Sequence, residues 1–299
     1  MVDNVVVGDS TVTMGLDFVD YFRAAKPAVL AATEDDKYGD IKRKLCEETG
    51  SKYVVLPKTP PAFTPVSTSS ILLKIRAPQT CPLRVDFAGG WLDVPRFSRE
   101  EGGYIVNCAI TPLVSLSSWP YELKGGLGGS GAYAVLQGGG KESAVDKELE
   151  LGVGWQDPAV VEETGLCVWR SGERPRLDLK VDPAALLFGK MGILWTGADH
   201  DTPSTAQTPK DLDSIASAGA AARAAVLTSD FRRLCKAVDM SYGVQLGEGM
   251  EELPDIEGSK AKKYCGGGFG GYALYLFDSR EKRDQVTLPG FKTVEPYMR

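Results

Sequence analysis

The stretch from Lys124 to Leu136, KGGLGGSGAYAVL, constrains this chain more than any other. Gly125, Gly126, Gly128 and Gly129 lead through Ser130 into Ala132, Tyr133, Ala134, Val135 and Leu136, a run able to open a helix. Glycine lets a backbone approach a ligand closely, and the first turn of a helix presents N–H groups that have no partner within it. A junction of the two is suited to an anion, phosphate above all. A plain glycine-rich turn is the competing reading of these residues taken alone. No Gly-Lys-Ser/Thr closes the loop, so it is not the P-loop of many ATPases.

Composition narrows the partners. A formal net charge of −6 over 299 residues argues against a non-specific nucleic-acid surface or a polybasic membrane surface, since both need an excess of Lys and Arg. The hydrophobic share of 43% permits a large core and two ordinary domains. Cysteines at 46, 81, 108, 167, 235 and 265 show neither a C-x-x-C pair nor a regular spacing, so the expectation is free thiols in a reducing compartment. His200 is the one histidine, which excludes a zinc site built on several; in its polar loop it reads as a surface residue. No apolar run approaches the ~20 residues that span a bilayer, and Met1 to Asp9 has no leader-like pattern. The expectation is a soluble, cytoplasmic protein.

The first 75 residues read as strand, helix, strand, helix, strand. Residues 2 to 7 are a β-branched run, Leu16 to Ala25 has helical spacing, and Pro27 to Ala32 is a buried-strand candidate. Asp40 to Thr49 forms the next helix, stopped by Gly50, and Tyr53 to Leu56 the next strand. That alternation predicts a small parallel α/β, Rossmann-like unit. Thr33, Glu34, Asp35 and Asp36 after the second strand, with Val66, Ser67, Thr68, Ser69 and Ile71, resemble the end of a cytidylyltransferase-like nucleotidyltransferase domain. The His-x-Gly-His of that family is absent, so the resemblance implies a C-terminal half, unable to transfer a nucleotide alone. Arg76 to Leu83 is the expected boundary.

After the boundary, Leu83 to Pro95 (LRVDFAGGWLDVP) reads as an alternating strand, with Leu83, Val85 and Phe87 on one face, running into a glycine turn. Tyr104 to Ile110 is a second strand. Lys263 to Tyr272, KYCGGGFGGY, leads into a strand over 272 to 277. The segments 177 to 182 and 192 to 197 also read as strands, and Asp211 to Val226 and Asp230 to Gln245 as amphipathic helices. Three stretches, Pro82 to Pro95, Gly126 to Ala132 and Lys263 to Tyr272, together resemble the GHMP kinases, named for galactokinase, homoserine kinase, mevalonate kinase and phosphomevalonate kinase. FAGGWLDVP followed by GGYIVNCAI looks most like the fucokinase and heptose-7-phosphate kinase branch, with Trp91 pointing toward fucokinase.

That resemblance implies a two-layer α+β kinase domain over 76–299, in parts 76–180 and 181–299, which uses ATP and Mg2+ to make a sugar 1-phosphate. It implies that Gly126, Leu127, Gly128, Gly129, Ser130, Gly131 and Ala132 hold the nucleotide, with the Ser130 hydroxyl near magnesium. Asp157 would orient or deprotonate the sugar hydroxyl, and Arg84 would pair with a carboxylate or the transferred phosphoryl group. Asp86, Gly89, Gly90, Trp91 and Asp93, with Gly266, Gly267, Gly268, Gly270 and Gly271, would shape the site of a sugar or sugar phosphate. Glu148 and Glu150 are both candidates for the carboxylate on magnesium, and the spacing does not choose between them.

Each residue also has a plainer reading. Glu148 and Glu150 fit a solvated helix face, Arg84 an outward charge on a strand, and Asp157 before Pro158 a helix N-cap. The segment Pro112 to Gly125 is shorter than the family's adenine-contacting stretch, Gly129 stands where the family prefers serine, and Gly267 where it prefers alanine. A catalytically impaired binding or scaffold protein on the same fold is therefore the competing function, and a bifunctional kinase and nucleotidyltransferase a third.

Overall fold

The computed structural model describes residues 7–9, 11–58, 71–72, 75, 77–99, 101–138, 140–200 and 209–299. The chain divides into two compact units, Met1–Val66 and Ser67–Arg299.

In the smaller unit, α1 (Val19–Ala25), β1 (Val29–Thr33), α2 (Gly39–Thr49) and β2 (Lys52–Leu56) follow one another. The two strands pair in parallel, Val29 opposite Lys52 and Thr33 opposite Leu56, as a strand–helix–strand connection demands. Gly50 ends α2 with a φ of +74°, and its N–H caps Cys46 O. Phe22, Leu45 and Cys46 form the buried centre. The helix expected from Leu16 begins at Val19. The strand over 2 to 7 falls on residues 1–6, outside the described residues, as does the turn Val66 to Ser69; Val7 itself lies in no strand.

The larger unit is built on one antiparallel sheet. Its strands are β3 (Cys81–Ala88), β4 (Tyr104–Val114), β5 (Leu166–Arg170), β6 (Arg176–Val181), β7 (Met191–Trp195), β8 (Ser259–Tyr264), β9 (Tyr272–Phe277) and β10 (Phe291–Pro296). Their order is β6-β5-β4-β10-β7-β9-β8, with β3 also paired to β4. Because β10 inserts between β4 and β7, the end of the chain joins the parts before and after residue 180 into one sheet.

Among the described residues seven helices accompany it: α3 (Gly129–Leu136), α4 (Gly140–Glu150), α5 (Gln156–Glu163), α6 (Ala184–Leu187), α7 (Leu212–Leu227), α8 (Phe231–Gly247) and α9 (Arg280–Asp284). Asp211 and Asp230 start α7 and α8 by accepting the N–H of Ser214 and of Arg233, each at 3.1 Å. The small residues of α7 let it lie on the sheet: a Cβ at Gly219 would stand 2.1 Å from Tyr104 O. The result is an α+β fold.

Two sequence expectations change here. β3 does not alternate between core and solvent, because α3 and α5 as well as α7 and α8 pack against it, and all eight of its residues are buried. Arg84 is accordingly 3% exposed, not an outward charge. All six cysteines are free and buried. No helix among the described residues is long and apolar enough to cross a membrane.

Candidate active site

The three glycine-bearing stretches meet because glycine lets their backbones touch. Gly126 and Gly128 take φ of +74° and +76°, and a Cβ on Gly126 would stand 2.7 Å from Cys265 O. A Cβ on Gly271 would stand 2.6 Å from Gly125 O, while Tyr272 N–H donates to that same carbonyl at 2.8 Å. Arg84 N–H donates to Leu127 O at 3.0 Å, tying the loop to β3. Gly128 is the N-cap of α3, so the N–H groups of its first turn open at the loop.

A cavity of about 630 Å³ opens there, within the size range of small-molecule sites. Gly126, Leu127, Gly128, Gly129 and Ser130 line it on the loop side, and Gly90, Trp91 and Asp93 from the turn after β3. Arg84 of β3, Glu148 of α4, Asp157 of α5, and Gly266 and Gly267 complete the predicted residues that reach it.

A chain of charges runs from this wall, at Asp157 and Arg84, to Asp86 and Lys263 behind it. Arg84 Nε and Nη2 each lie 2.7 Å from Asp157 Oδ1, and Nη1 reaches Gly126 O at 2.5 Å and Asp86 Oδ1 at 3.3 Å. Asp86 Oδ1 accepts the Gly266 N–H at 2.8 Å, and Oδ2 pairs with Lys263. Charges therefore alternate from Lys263 through Asp86 and Arg84 to Asp157. Burial works against the charged form of Arg84, but Asp157 and then Asp86 outweigh it and raise its pKa. Burial likewise opposes the Asp86 carboxylate, yet Lys263 and Arg84 hold its pKa below the ordinary value.

Two other carboxyls go the opposite way. Burial, then repulsion from Asp157, pushes Asp93 up to about 7, although its oxygens accept Gln156 N–H and Nε2, each at 3.2 Å. Glu148 rises to about 7 for the same two reasons, opposed by a hydrogen bond from Ser130.

This geometry corrects several expectations. Glu148 is 3% exposed and faces the cavity, whereas Glu150, two residues along the helix, is exposed to solvent and does not line it. Asp157 is no N-cap: Trp155 holds that position, and Asp157 sits in the first turn bound to Arg84. Asp86 does not line the main cavity because it is occupied by Lys263, Arg84 and Gly266. Gly89 lies under the wall, where a Cβ would come within 1.8 Å of Tyr104 O. Gly131 faces α5, where a Cβ would sit 2.6 Å from Pro158 N, and Ala132 is core.

Gly268, Gly270 and Gly271 also stay out of the cavity, each set against another part of the chain. Gly268 O takes the Nδ1–H of His200 at 2.6 Å, and a Cβ on Gly270 would meet Asp199 O at 2.5 Å. His200 is thus not a surface residue: it is 6% exposed and lines the cavity. Residues 201–208 of its loop lie outside the described residues.

Among the described residues no group of three or more His, Cys, Asp or Glu could cage a metal. Ser130 and Glu148 offer a hydroxyl and a carboxylate together, a set that fits Mg2+ completed by phosphate oxygens and water.

No family model matches the chain. Among curated proteins, 30 residues are 60% identical to the bifunctional fucokinase/GDP-fucose pyrophosphorylase of Arabidopsis thaliana, spanning 10% of this chain and 3% of that relative. The chain resembles the mevalonate kinase of Methanococcus jannaschii with a TM-score of 0.54 at 11% identity, covering 73% of this chain and 98% of that one. It resembles L. major mevalonate kinase in complex with R-mevalonate with a TM-score of 0.52 at 15% identity, covering 73% and 94%. For Streptococcus pneumoniae phosphomevalonate kinase, in complex with phosphomevalonate and AMPPNP, the TM-score is 0.52 at 13% identity, with 74% and 99% covered. These likenesses establish the fold over most of the chain.

Proposed function

We propose that the larger unit is an ATP- and magnesium-dependent kinase that phosphorylates a sugar at its anomeric hydroxyl. The observation that carries this reading is the placing of Asp157: clamped by Arg84 at 2.7 Å, it borders the same cavity as the glycine-lined N-terminus of α3. Phosphoryl transfer needs mainly positioning and neutralised charge, and the elements of both are present. The N–H groups of the first turn of α3 would receive the ATP phosphates, and Ser130 and Glu148 would hold the magnesium, which supplies further positive charge there.

Asp157 would accept the proton of the sugar hydroxyl as its oxygen bonds to the γ-phosphorus and the bond to the β-phosphate oxygen breaks, giving ADP and a sugar 1-phosphate. Arg84 keeps Asp157 aimed, while its own second anchor, Asp86, is fixed by Lys263. The 30-residue match to a bifunctional fucokinase/GDP-fucose pyrophosphorylase and Trp91 on the cavity wall support a fucose-like acceptor over a heptose 7-phosphate. In the smaller unit, the parallel β1 and β2 around α2 fit the proposed C-terminal half of a nucleotidyltransferase-like domain.

The test is ADP release by the purified chain with magnesium-ATP across a panel of sugars and sugar 7-phosphates. Sugar-dependent ADP release that Asp157→Asn lowers about 10²–10⁴-fold supports the kinase. Magnesium-dependent ATP binding with no turnover on any acceptor would replace it with the scaffold reading.

A further inference from the structure

Behind the Gly90–Trp91 turn is a second cavity of about 20 Å³, room for one water molecule or one hydroxyl group. It shares Gly90, Trp91 and Gly266 with the main cavity, so the two chambers adjoin along one turn. Glu248, the C-cap of α8, is among the residues that line it. The Glu248 side chain is 10% exposed; Oε2 takes Lys210 Nζ at 2.9 Å, while the buried Oε1 meets no donor among the described residues. A buried oxygen of a carboxylate without a donor is costly to the fold, and such an exception calls for a partner.

The surroundings define that partner's chemistry. Lys210, its side chain wholly buried, neutralises Glu248 and also lies 4.3 Å from the centre of the Trp91 ring. Asp86, which also lines the chamber, is neutralised by Lys263. Each anion of the chamber already has its cation, so a cationic ligand gains no unpaired charge, and an anionic one would meet two carboxylates. Arg84 is engaged by Asp157 and Asp86, and residues 201–208 contain no Lys or Arg. What fits is a neutral donor the size of a hydroxyl. Trp91, held at φ +81° between Lys210 and the edge of Phe97, gives such a ligand a rigid wall.

We propose that this chamber is part of the acceptor subsite: Glu248 Oε1 accepts a hydrogen bond from one hydroxyl of an uncharged polyol, and the charge-balanced walls reject an acceptor carrying a phosphate at that end. The inference rests on the kinase reading, and it adds Glu248 as a specificity-determining residue.

The experiment compares wild type and Glu248→Gln on neutral sugars, their monodeoxy analogues and the corresponding terminal phosphates. A hydrogen bond to a charged group corresponds to roughly 10–100-fold in affinity, so Glu248→Gln should raise the acceptor KM by that order, leaving kcat and the KM for ATP within about twofold. One deoxy analogue should show the same loss on wild type and little further loss on Glu248→Gln, because sugar and side chain share one bond. An unchanged acceptor KM in Glu248→Gln shows that Oε1 holds an ordered water only, and a preference for the sugar phosphate refutes the charge argument; either overturns the proposal.

If Glu248→Gln fails to fold, the deoxy series on wild type still decides, and a series with no sensitive position refutes the subsite. If no acceptor is turned over at all, the kinase reading fails by itself. Calorimetric binding of the neutral sugars to wild type and Glu248→Gln then tests the chamber separately, with equal affinities as the negative result.

Discussion

Replacing Asp157 by Asn separates chemistry from structure at the centre of the site. The amide keeps the side-chain volume and leaves Oδ1 available to Arg84, whose Nε and Nη2 now reach that atom at 2.7 Å. Arg84 also keeps Asp86 and Gly126 O, so the clamp does not fall apart. What disappears is the negative charge, together with its repulsion of Asp93 and Glu148. The loss of one ion pair and the relief of two repulsions offset each other, so stability should change by no more than about 1–2 kcal/mol.

Proton acceptance and positioning by a carboxylate are worth about 10²–10⁴-fold, or roughly 3–5.5 kcal/mol of barrier. The expected result is therefore a kcat lower by that factor, with the acceptor KM nearly unchanged because the lost interaction belongs to the transition state. Steady-state ADP release, with denaturant unfolding as the structural control, reads both quantities. A kcat within tenfold of wild type would remove Asp157 from the chemistry and leave Asp93 as the next carboxylate to test.

Lys263→Met should destabilise the chain by roughly 3–5 kcal/mol in urea unfolding, since Asp86 would keep a buried charge without its main partner. Adding Asp86→Asn should recover part of that loss; a loss under about 1 kcal/mol for Lys263→Met alone would mean that the pair holds nothing in place. Asp93 has a folded pKa raised to about 7 from an ordinary 3.8, so its contribution to stability is complete below the ordinary value and fades as pH rises through about 7. The ligand-free chain should accordingly lose Tm between pH 5 and pH 8, and Asp93→Asn should lessen that slope; identical slopes would refute the assignment. Gly128→Val should abolish binding of a fluorescent nucleotide, because φ is +76° and the new Cβ would lie 3.0 Å from Arg84 Cγ and 3.2 Å from Asp157 Cγ. Unaltered affinity in that variant would rule out the loop as the phosphate cradle.

How much of this was legible in the sequence depends on the range over which each signal acts. Period and punctuation are local, so α2 with its Gly50 stop, the aspartate-capped α7 and α8, and β9 stand close to their expected places. Glycine-rich turns are legible for the same reason: a positive φ or a close backbone approach leaves glycine as the residue that fits, as at Gly126 and Gly128. Whether a given glycine faces a ligand or a neighbouring strand is not local. Gly89 and Gly90 are adjacent in the chain, yet the first lies against Tyr104 O and the second lines the cavity.

Charged residues were the least legible, because burial is a tertiary property. Arg84 alternates with apolar residues just as an exposed strand residue would, and only α3 and α5 packed against β3 turn it inward. Glu148 and Glu150 are indistinguishable in KELEL, but a helix turns 100° per residue, which puts one against Ser130 and the other in solvent. Lys263, Lys210 and Glu248 carried no site signal, since lysines and glutamates near helix or strand ends are ordinarily solvated.

Their partners come from 38 residues away for Lys210 with Glu248 and 177 for Lys263 with Asp86, separations that no periodicity reports. The same long range gives these pairs their place in the site. Lys263 and Gly266 of the last glycine stretch bind Asp86 of the first, and Arg84 of the first binds Gly126 O of the middle one. The buried charges thus act as the cross-ties that hold three sequence-distant loops around one cavity, so a change at Lys263 should be felt at Asp157 although the two side chains never touch.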